Sequence, residues 1–377
     1  MNFLSRIRMP YLAWCVFLAF LGCASVPKPG PASGDVYVTM IAAGDNLMHI
    51  QLIDCAWDEE SGSYDFEGYY SEVRGAVVRA DIAFINQETL IAGEAFGYSG
   101  YPEFNGPREI GQALVNVGFD VVNHATNHTM DKGEGAVRAV IDYWKTQPRV
   151  TMLGLHESQE ARDAQNNIVD VNGIRIGFLA YTYGLNEIPL PKGKPYLVSL
   201  IDADVMAKEI DALRPRCDFL VVSMHWGNEY EHTPSKKQEE LAAFLAAHNV
   251  DLVIGHHPHV LQPVRTLAKA DGGSMLVFFS LGNFLSAQDK RARLLGGMMR
   301  IKLKADKDNR VSVEESELLP LVTHYERGHK AFKVYFLENY SEALALLHGV
   351  HPDSEALSIE YFIDLIASIA GGKAREE

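Results

Sequence analysis

Cysteine is scarce in this chain. The four cysteines among 377 residues, at positions 15, 23, 55 and 217, form no Cys-x-x-Cys pair, so a thiolate zinc site or a disulfide scaffold is not the organising principle. Cys55 and Cys217 could still pair in an oxidising compartment. Positive charge is also short. A net charge of −15 argues against nonspecific binding to nucleic acid or to anionic lipid. It does not argue against a small polar substrate held through a metal, because the charge of a site is local. No repeat of 20–50 residues stands out, which removes solenoids and propellers. Apolar residues make up 47% of the chain, enough to build one large domain or two modest ones.

A membrane-spanning run is missing at the one place where it would be sought. Arg6 and Arg8 precede the twelve-residue apolar stretch "YLAWCVFLAFLG" (11–22), shorter than the roughly 20 residues a span needs. It suits the apolar core of a secretory signal. It ends in "FLGCAS", where Gly22-Cys23 is similar to a bacterial lipobox, and "ASVPKPGPASG" follows as a flexible tether. The expectation is a signal peptide over 1–22, a tether over 23–35 lipidated at Cys23, and an exported lipoprotein held at the bacterial cell envelope.

From Val36 onward, short apolar runs alternate with stretches of helical spacing. Strands are expected at 36–43, 81–86, 119–123, 218–226, 250–257 and 273–284, and helices at 70–80, 107–118, 132–147, 202–214 and 235–249. Asn172-Gly173 between two strand-like runs marks a hairpin, and 296–318 reads as another. The sheets are therefore mixed and the class is α/β. The main domain is expected over 36–333, followed by a helical extension over 334–377.

Strand after strand ends in polar residues: Asp45; Asn86-Gln87-Glu88; Asn123 to Asp131; His225 to Glu229; Gly255 to His259; and Gly282-Asn283. Ligands bind at the carboxyl ends of strands in open α/β sheets, so six such ends point to one converging site. Each residue also has an ordinary role open to it: Asp45 could shape a turn, Glu88 could cap a helix, and His128 and His225 could be satisfied core histidines. As a set, carboxylates, carboxamides and imidazoles without thiolates suit Mn²⁺, Fe or Zn²⁺. Two divalent ions sharing a carboxylate would use about this many donors, and such a pair serves displacement at phosphorus or at a carbonyl. Asp131 is placed to orient His128 from the same loop. His49, His124 and His256 are expected not to be ligands.

The ordered set "GDNLMH", "NQE", "NHATNHTMDKG", "HWGNEY", "GHHPHVLQP" and "SLGNF" resembles the CapA-type poly-gamma-glutamate capsule biosynthesis proteins, over about Val38 to Leu285. The resemblance implies a calcineurin-like, metallo-dependent phosphatase-like fold: a four-layer αββα sandwich with a dinuclear centre at its mouth. It implies Asp45 and His259 on a first metal, Glu88 as the bridging carboxylate, and Asn127, His225 and His257 on a second. His128 would act as acid or electrostatic stabiliser near the attacked group. Two departures from ordinary metallophosphoesterases stand out. Asn46-Leu47 follows Asp45 where Asp-x-His is usual, leaving the first metal one ligand short, and "NQE" stands where GDxxD is usual. The implied role is metal-dependent hydrolysis of a phosphoester or amide, or work on an anionic polymer beside a capsule synthesis and export complex in the membrane. The alternatives are a non-catalytic metal-containing assembly partner and a general extracytoplasmic phosphoesterase.

Overall fold

The computed structural model describes residues 35–164, 167–350 and 357–371. The expected signal, the tether and Cys23 lie outside these residues. Strand Val36–Asn46 shows how the layers arise. Val38, Met40 and Ala42 face one side and Ile41 and Ala43 the other, and both rows are buried. A strand apolar on both faces belongs at the centre of a stack. The first row packs with Phe84, Phe178, Val221, Ile254 and Met299 in the core between two sheets. The second row packs beneath a layer of helices that supplies Leu114, Val137 and Val140.

The first sheet has eight strands. Its continuous path runs Lys330–Phe336, Val311–Glu326, Leu295–Ala305, Val36–Asn46, Ile82–Gln87, Val121–Asn123 and Thr151–Leu153, and Asn283–Leu285 pairs with the end of Val36–Asn46. The second has six, in the order Val264–Ala268, Ser274–Phe278, Leu252–His256, Phe219–His225, Ile174–Thr182 and Ile168–Val171. Its four central strands are parallel and its two edges antiparallel. Helices Ala203–Leu213 and Lys236–Ala247 cover its outer face through Met206, Ile210, Leu241 and Leu245. The order of layers is helix, sheet, sheet, helix, the mixed α/β sandwich that the resemblance implies.

Expected and observed elements differ in instructive places. Asn172 and Gly173 both take positive φ, at 54° and 83°, as the tight hairpin turn requires. The run 273–284 is two strands rather than one. Ser274–Phe278 belongs to the second sheet and Asn283–Leu285 to the first, because the chain crosses between the sheets at Phe279–Gly282. That crossing passes two glycines. A Cβ on Gly44 would sit 2.1 Å from the Gly282 carbonyl oxygen, and one on Gly255 would sit 1.9 Å from that of Phe279. The expected boundary at 333/334 falls inside strand Lys330–Phe336, where Phe332 and Val334 alternate inward past Lys333. Among the described residues, a 3₁₀ turn at Leu337–Asn339 and α-helices at Glu342–Leu347 and Ile359–Ala370 follow it. Cys55 is exposed, Cys217 is buried, and both are free thiols. No helix among the described residues is long and apolar enough to cross a membrane.

Candidate metal centre

The strand ends converge because their registers align. Asp45 lies level with Asn86 and with Asn283, and Asn86 with Asn123, in the first sheet. His225 lies level with His256 in the second. Side chains extend this alignment inward. The Asn86 amide donates to Asp45 Oδ1 at 2.8 Å, and the Asn123 amide donates to Asn86 Oδ1 at 2.7 Å. This relay of carboxamides holds the Asp45 carboxylate at the junction between the sheets. The backbone N–H of His257 donates to its other oxygen at 3.2 Å.

Glu88 sits at the middle. It is 1% exposed, and neither of its carboxylate oxygens accepts a hydrogen bond. His225 Nε2 and His259 Nε2 each lie 3.6 Å from Oε1. Asp45, Glu88 and His259 form one group whose donor atoms all lie within 4.8 Å of one another, and Glu88, His225 and His257 form a second. Glu88 is common to both. The Asn127 carboxamide oxygen is 2.8 Å from His225 Nε2, so Asn127 joins the second group. The six residues expected as metal ligands thus lie around one shared carboxylate.

The electrostatics suit a cation. A buried carboxylate without donors is costly unless it neutralises or meets a positive charge. Burial, helped by repulsion from Asp45, Glu229 and Asp131 and opposed by His259, pushes Glu88 well above the usual carboxylate range. Burial lowers His225, and lowers His257 to about 3, with neighbouring imidazoles adding to the effect. Both therefore stay neutral, the form in which imidazole ligates metal. Burial also opposes charge on His259, but Glu88 and Asp45 outweigh it and raise that imidazole to about 9. Burial would likewise raise Asp45, yet the His256 and His259 imidazoles lying against its two oxygens hold it well below its ordinary value. His257 Nδ1 has no hydrogen-bond partner. The donor set of oxygen and imidazole nitrogen fits a divalent pair.

His128 and Asp131 stand beside this centre. Asp131 Oδ2 lies 2.7 Å from His128 Nδ1 and also accepts the Phe104 N–H at 2.7 Å. With Nδ1–H donating to the carboxylate, Nε2 is left to face a substrate. The Asn186 carboxamide oxygen accepts from the Asn127 amide at 3.2 Å, and its nitrogen packs 3.3 Å from His128 Nδ1, so Asn186 lies between the two side chains. The backbone around the site is strained: His257, His259, Tyr230 and Asn186 have φ of 97°, 59°, 68° and 49°. Non-glycine residues are held there only by surrounding structure.

Sequence reasoning passed over several participants. His256, expected outside the site, is fully buried with both ring nitrogens unpartnered by a hydrogen bond, and its Nδ1 is 3.5 Å from Asp45 Oδ1. Glu229 forms a further group with His257 and His259. Tyr183 and Tyr230 place their rings 4.6 Å from His257 and 6.1 Å from His259. Glu229, His256, Asn86 and Asn123 all lay in the polar strand ends of the sequence, whereas Tyr183 and Tyr230 carried no such signal. His49 is as expected for a residue used elsewhere: its Nδ1 lies against the Leu47 carbonyl and the Ala287 N–H. His124 is also engaged elsewhere, accepting from the Trp144 indole at 2.8 Å.

Comparison with known proteins follows the same residues. The family model described as bacterial capsule synthesis protein PGA_cap matches residues 39–288. The capsule biosynthesis protein CapA of Bacillus anthracis is 33% identical over 183 residues, covering 47% of this chain and 42% of that protein. The PGA biosynthesis protein CapA of Bacillus subtilis (strain 168) is 27% identical over 206 residues, covering 55% and 53%. The matches thus span about half the length of these relatives. Among solved structures, a putative 5'-nucleotidase from Staphylococcus aureus in complex with alpha-ketoglutarate aligns with a TM-score of 0.46 at 16% identity, covering 76% of this chain and 54% of that one. A 5'-nucleotidase precursor from Thermus thermophilus aligns at 0.44 and 14%, covering 89% and 59%. The matched span encloses every polar strand end from Asp45 to Asn283, and the chain belongs to the bacterial capsule synthesis protein PGA_cap family.

Proposed function

We propose that this chain is an exported, envelope-anchored metal-dependent hydrolase that acts on a phosphoester or amide of an anionic capsule polymer. Glu88 carries the reading: a fully buried carboxylate, both oxygens without donors, grouped with His225 and His257, which burial holds neutral, and 3.6 Å from His259, which the neighbouring carboxylates keep charged. Asp45 and His259 would hold one divalent ion (Mn, Fe or Zn), His225, His257 and Asn127 a second, with Glu88 between them. Such a pair supplies Lewis acidity toward a phosphoryl or carbonyl oxygen and a template for the displacement. The chain's own residues do the rest. Asp131 fixes the His128 imidazole so that Nε2 can hold a proton and pass it to the departing oxygen or nitrogen. Asn186 packs between that imidazole and Asn127. The apolar run at 11–22 and Cys23 support the envelope location, and the names of the two CapA relatives support a capsule polymer.

A second reading, binding of the polymer without turnover, draws support from Leu47. It is buried at the position where an additional ligand would stand, which leaves Asp45, Glu88 and His259 as the donors for the first ion. The deciding experiment measures Mn²⁺ stoichiometry and turnover of a generic phosphodiester and a gamma-glutamyl peptide. Two equivalents with turnover abolished in His128→Ala supports hydrolysis. Full metal with neither substrate consumed supports the binding role. Less than half an equivalent in wild type overturns both.

A further inference from the structure

Arg293 is an unusual cation for so acidic a chain. It lies in the short 3₁₀ segment Arg291–Leu294 and is half-buried. Among the described residues its guanidinium makes no hydrogen bond and no ion pair. Several other arginines of the fold are ion-paired, as Arg162 is with Glu209 and Arg175 with Asp218. Arg293 instead stacks on Tyr230, its guanidinium carbon 3.4 Å from the ring centroid. A cation–π stack orients the planar fork while leaving its N–H donors open. Tyr230 is held in turn by strained backbone and by its N–H, which donates to the Pro258 carbonyl at 2.7 Å, and its ring neighbours His259.

A second link ties Arg293 to the metal centre. Asn283 lies level with Asp45. Its carboxamide oxygen is 3.1 Å from His259 Nδ1, and its amide donates to the Arg293 carbonyl at 2.9 Å. One asparagine therefore orients a candidate metal ligand and fixes the backbone that presents the arginine.

Resting on the hydrolase or binding site proposed above, we infer that Arg293 is the oxyanion-recognising residue of this centre and takes a carboxylate or phosphoryl group of the bound molecule. An arginine with an open, oriented fork matches both groups bidentately. It sets specificity by demanding an anion one ring away from the metal ligands. Tyr183, 48% exposed over His257, forms a second aromatic wall of the mouth.

The test is arginine labelling of the full protein with phenylglyoxal, read by peptide mass spectrometry, with and without inorganic phosphate or tri-gamma-glutamate. Arg300, exposed and paired with Glu317 on the sheet, is the internal control. Protection of Arg293 but not Arg300 is expected, and the anion that protects identifies a phosphoryl or a carboxylate source. Calorimetric titration of the same anions should show affinity falling about 10- to 100-fold in Arg293→Gln, the usual loss for a charged hydrogen-bonded pair, with Mn²⁺ stoichiometry unchanged. Arg293→Lys should recover phosphate binding better than carboxylate binding, since lysine offers a point charge without the fork. Failure of both anions to protect, with unaltered affinity in Arg293→Gln, overturns the inference. Absent Mn²⁺ binding with Arg293 still protected would sink the metal reading and leave this one standing.

Discussion

Replacing Glu88 with glutamine should stabilise the metal-free protein and destabilise the metal-loaded one. In the absence of metal the wild-type carboxylate is buried among residues that donate nothing to it, and burial raises its folded value above the ordinary 4.5. A raised carboxyl contributes stability below pH 4.5 and loses it as pH rises toward the folded value. At pH 7 the loss is bounded by the work of keeping the proton on, about 3 kcal/mol. Glutamine has nearly the same shape and no charge, but its buried amide costs about 1 kcal/mol if unpartnered, leaving a net gain of at most about 2 kcal/mol. With an unfolding entropy of about 2.1 cal/mol/K per residue over roughly 340 residues, 1 kcal/mol corresponds to about 1.4 °C. Glu88→Gln should therefore melt above wild type in chelator at pH 7, by at most about 3 °C, and the advantage should nearly vanish at pH 5. Adding Mn²⁺ at a hundredfold excess over Kd stabilises wild type by about 2.7 kcal/mol, or about 4 °C, and should leave the variant almost unmoved. Thermal unfolding followed by fluorescence reads all of these conditions. A variant that melts below wild type in chelator, or gains as much from Mn²⁺, would refute the reasoning.

Other outcomes follow from neighbouring geometry. Gly44→Ala places a methyl 2.1 Å from the Gly282 carbonyl oxygen, which only a backbone shift can relieve. A loss of more than about 3 kcal/mol is expected in urea unfolding. Asp131→Asn removes the carboxylate that orients His128 while leaving the metal ligands in place, so turnover should fall about 10- to 100-fold with unchanged Mn²⁺ stoichiometry. Burial lowers His124 to about 3, so the folded state excludes a proton that the unfolded chain binds below about 6.5. Its contribution is complete above that pH and is lost as pH falls toward 3, and His124→Gln should flatten the acid limb of a stability–pH profile by about 1.4 kcal/mol per unit.

The residue order alone carried a good part of this architecture. The apolar run Val36–Ala43, the Asn172-Gly173 turn and the polar clusters after each apolar run could be read without coordinates, because short apolar runs and turn chemistry are local properties. The motif order from "GDNLMH" to "SLGNF" likewise singled out Asp45, Glu88, His225 and His259 before their positions were known. The strand Lys330–Phe336 was legible in principle from Phe332, Lys333 and Val334, but was overshadowed by the helical tail that follows.

Tertiary structure decided what depends on distances across the chain. The break of 273–284 into strands of two different sheets rests on where Gly44 and Gly255 let a backbone pass. The involvement of His256 follows from the 3.5 Å approach to Asp45, a contact 211 positions away in sequence. Arg293 looked like any charged residue until its guanidinium was found over Tyr230. Local periodicity assigns a side chain to a face of its own strand. Only the register between strands and the crossing of the sheets determine which other residues share that face, and so whether a carboxylate, an imidazole or a guanidinium meets a partner or is left open for a ligand.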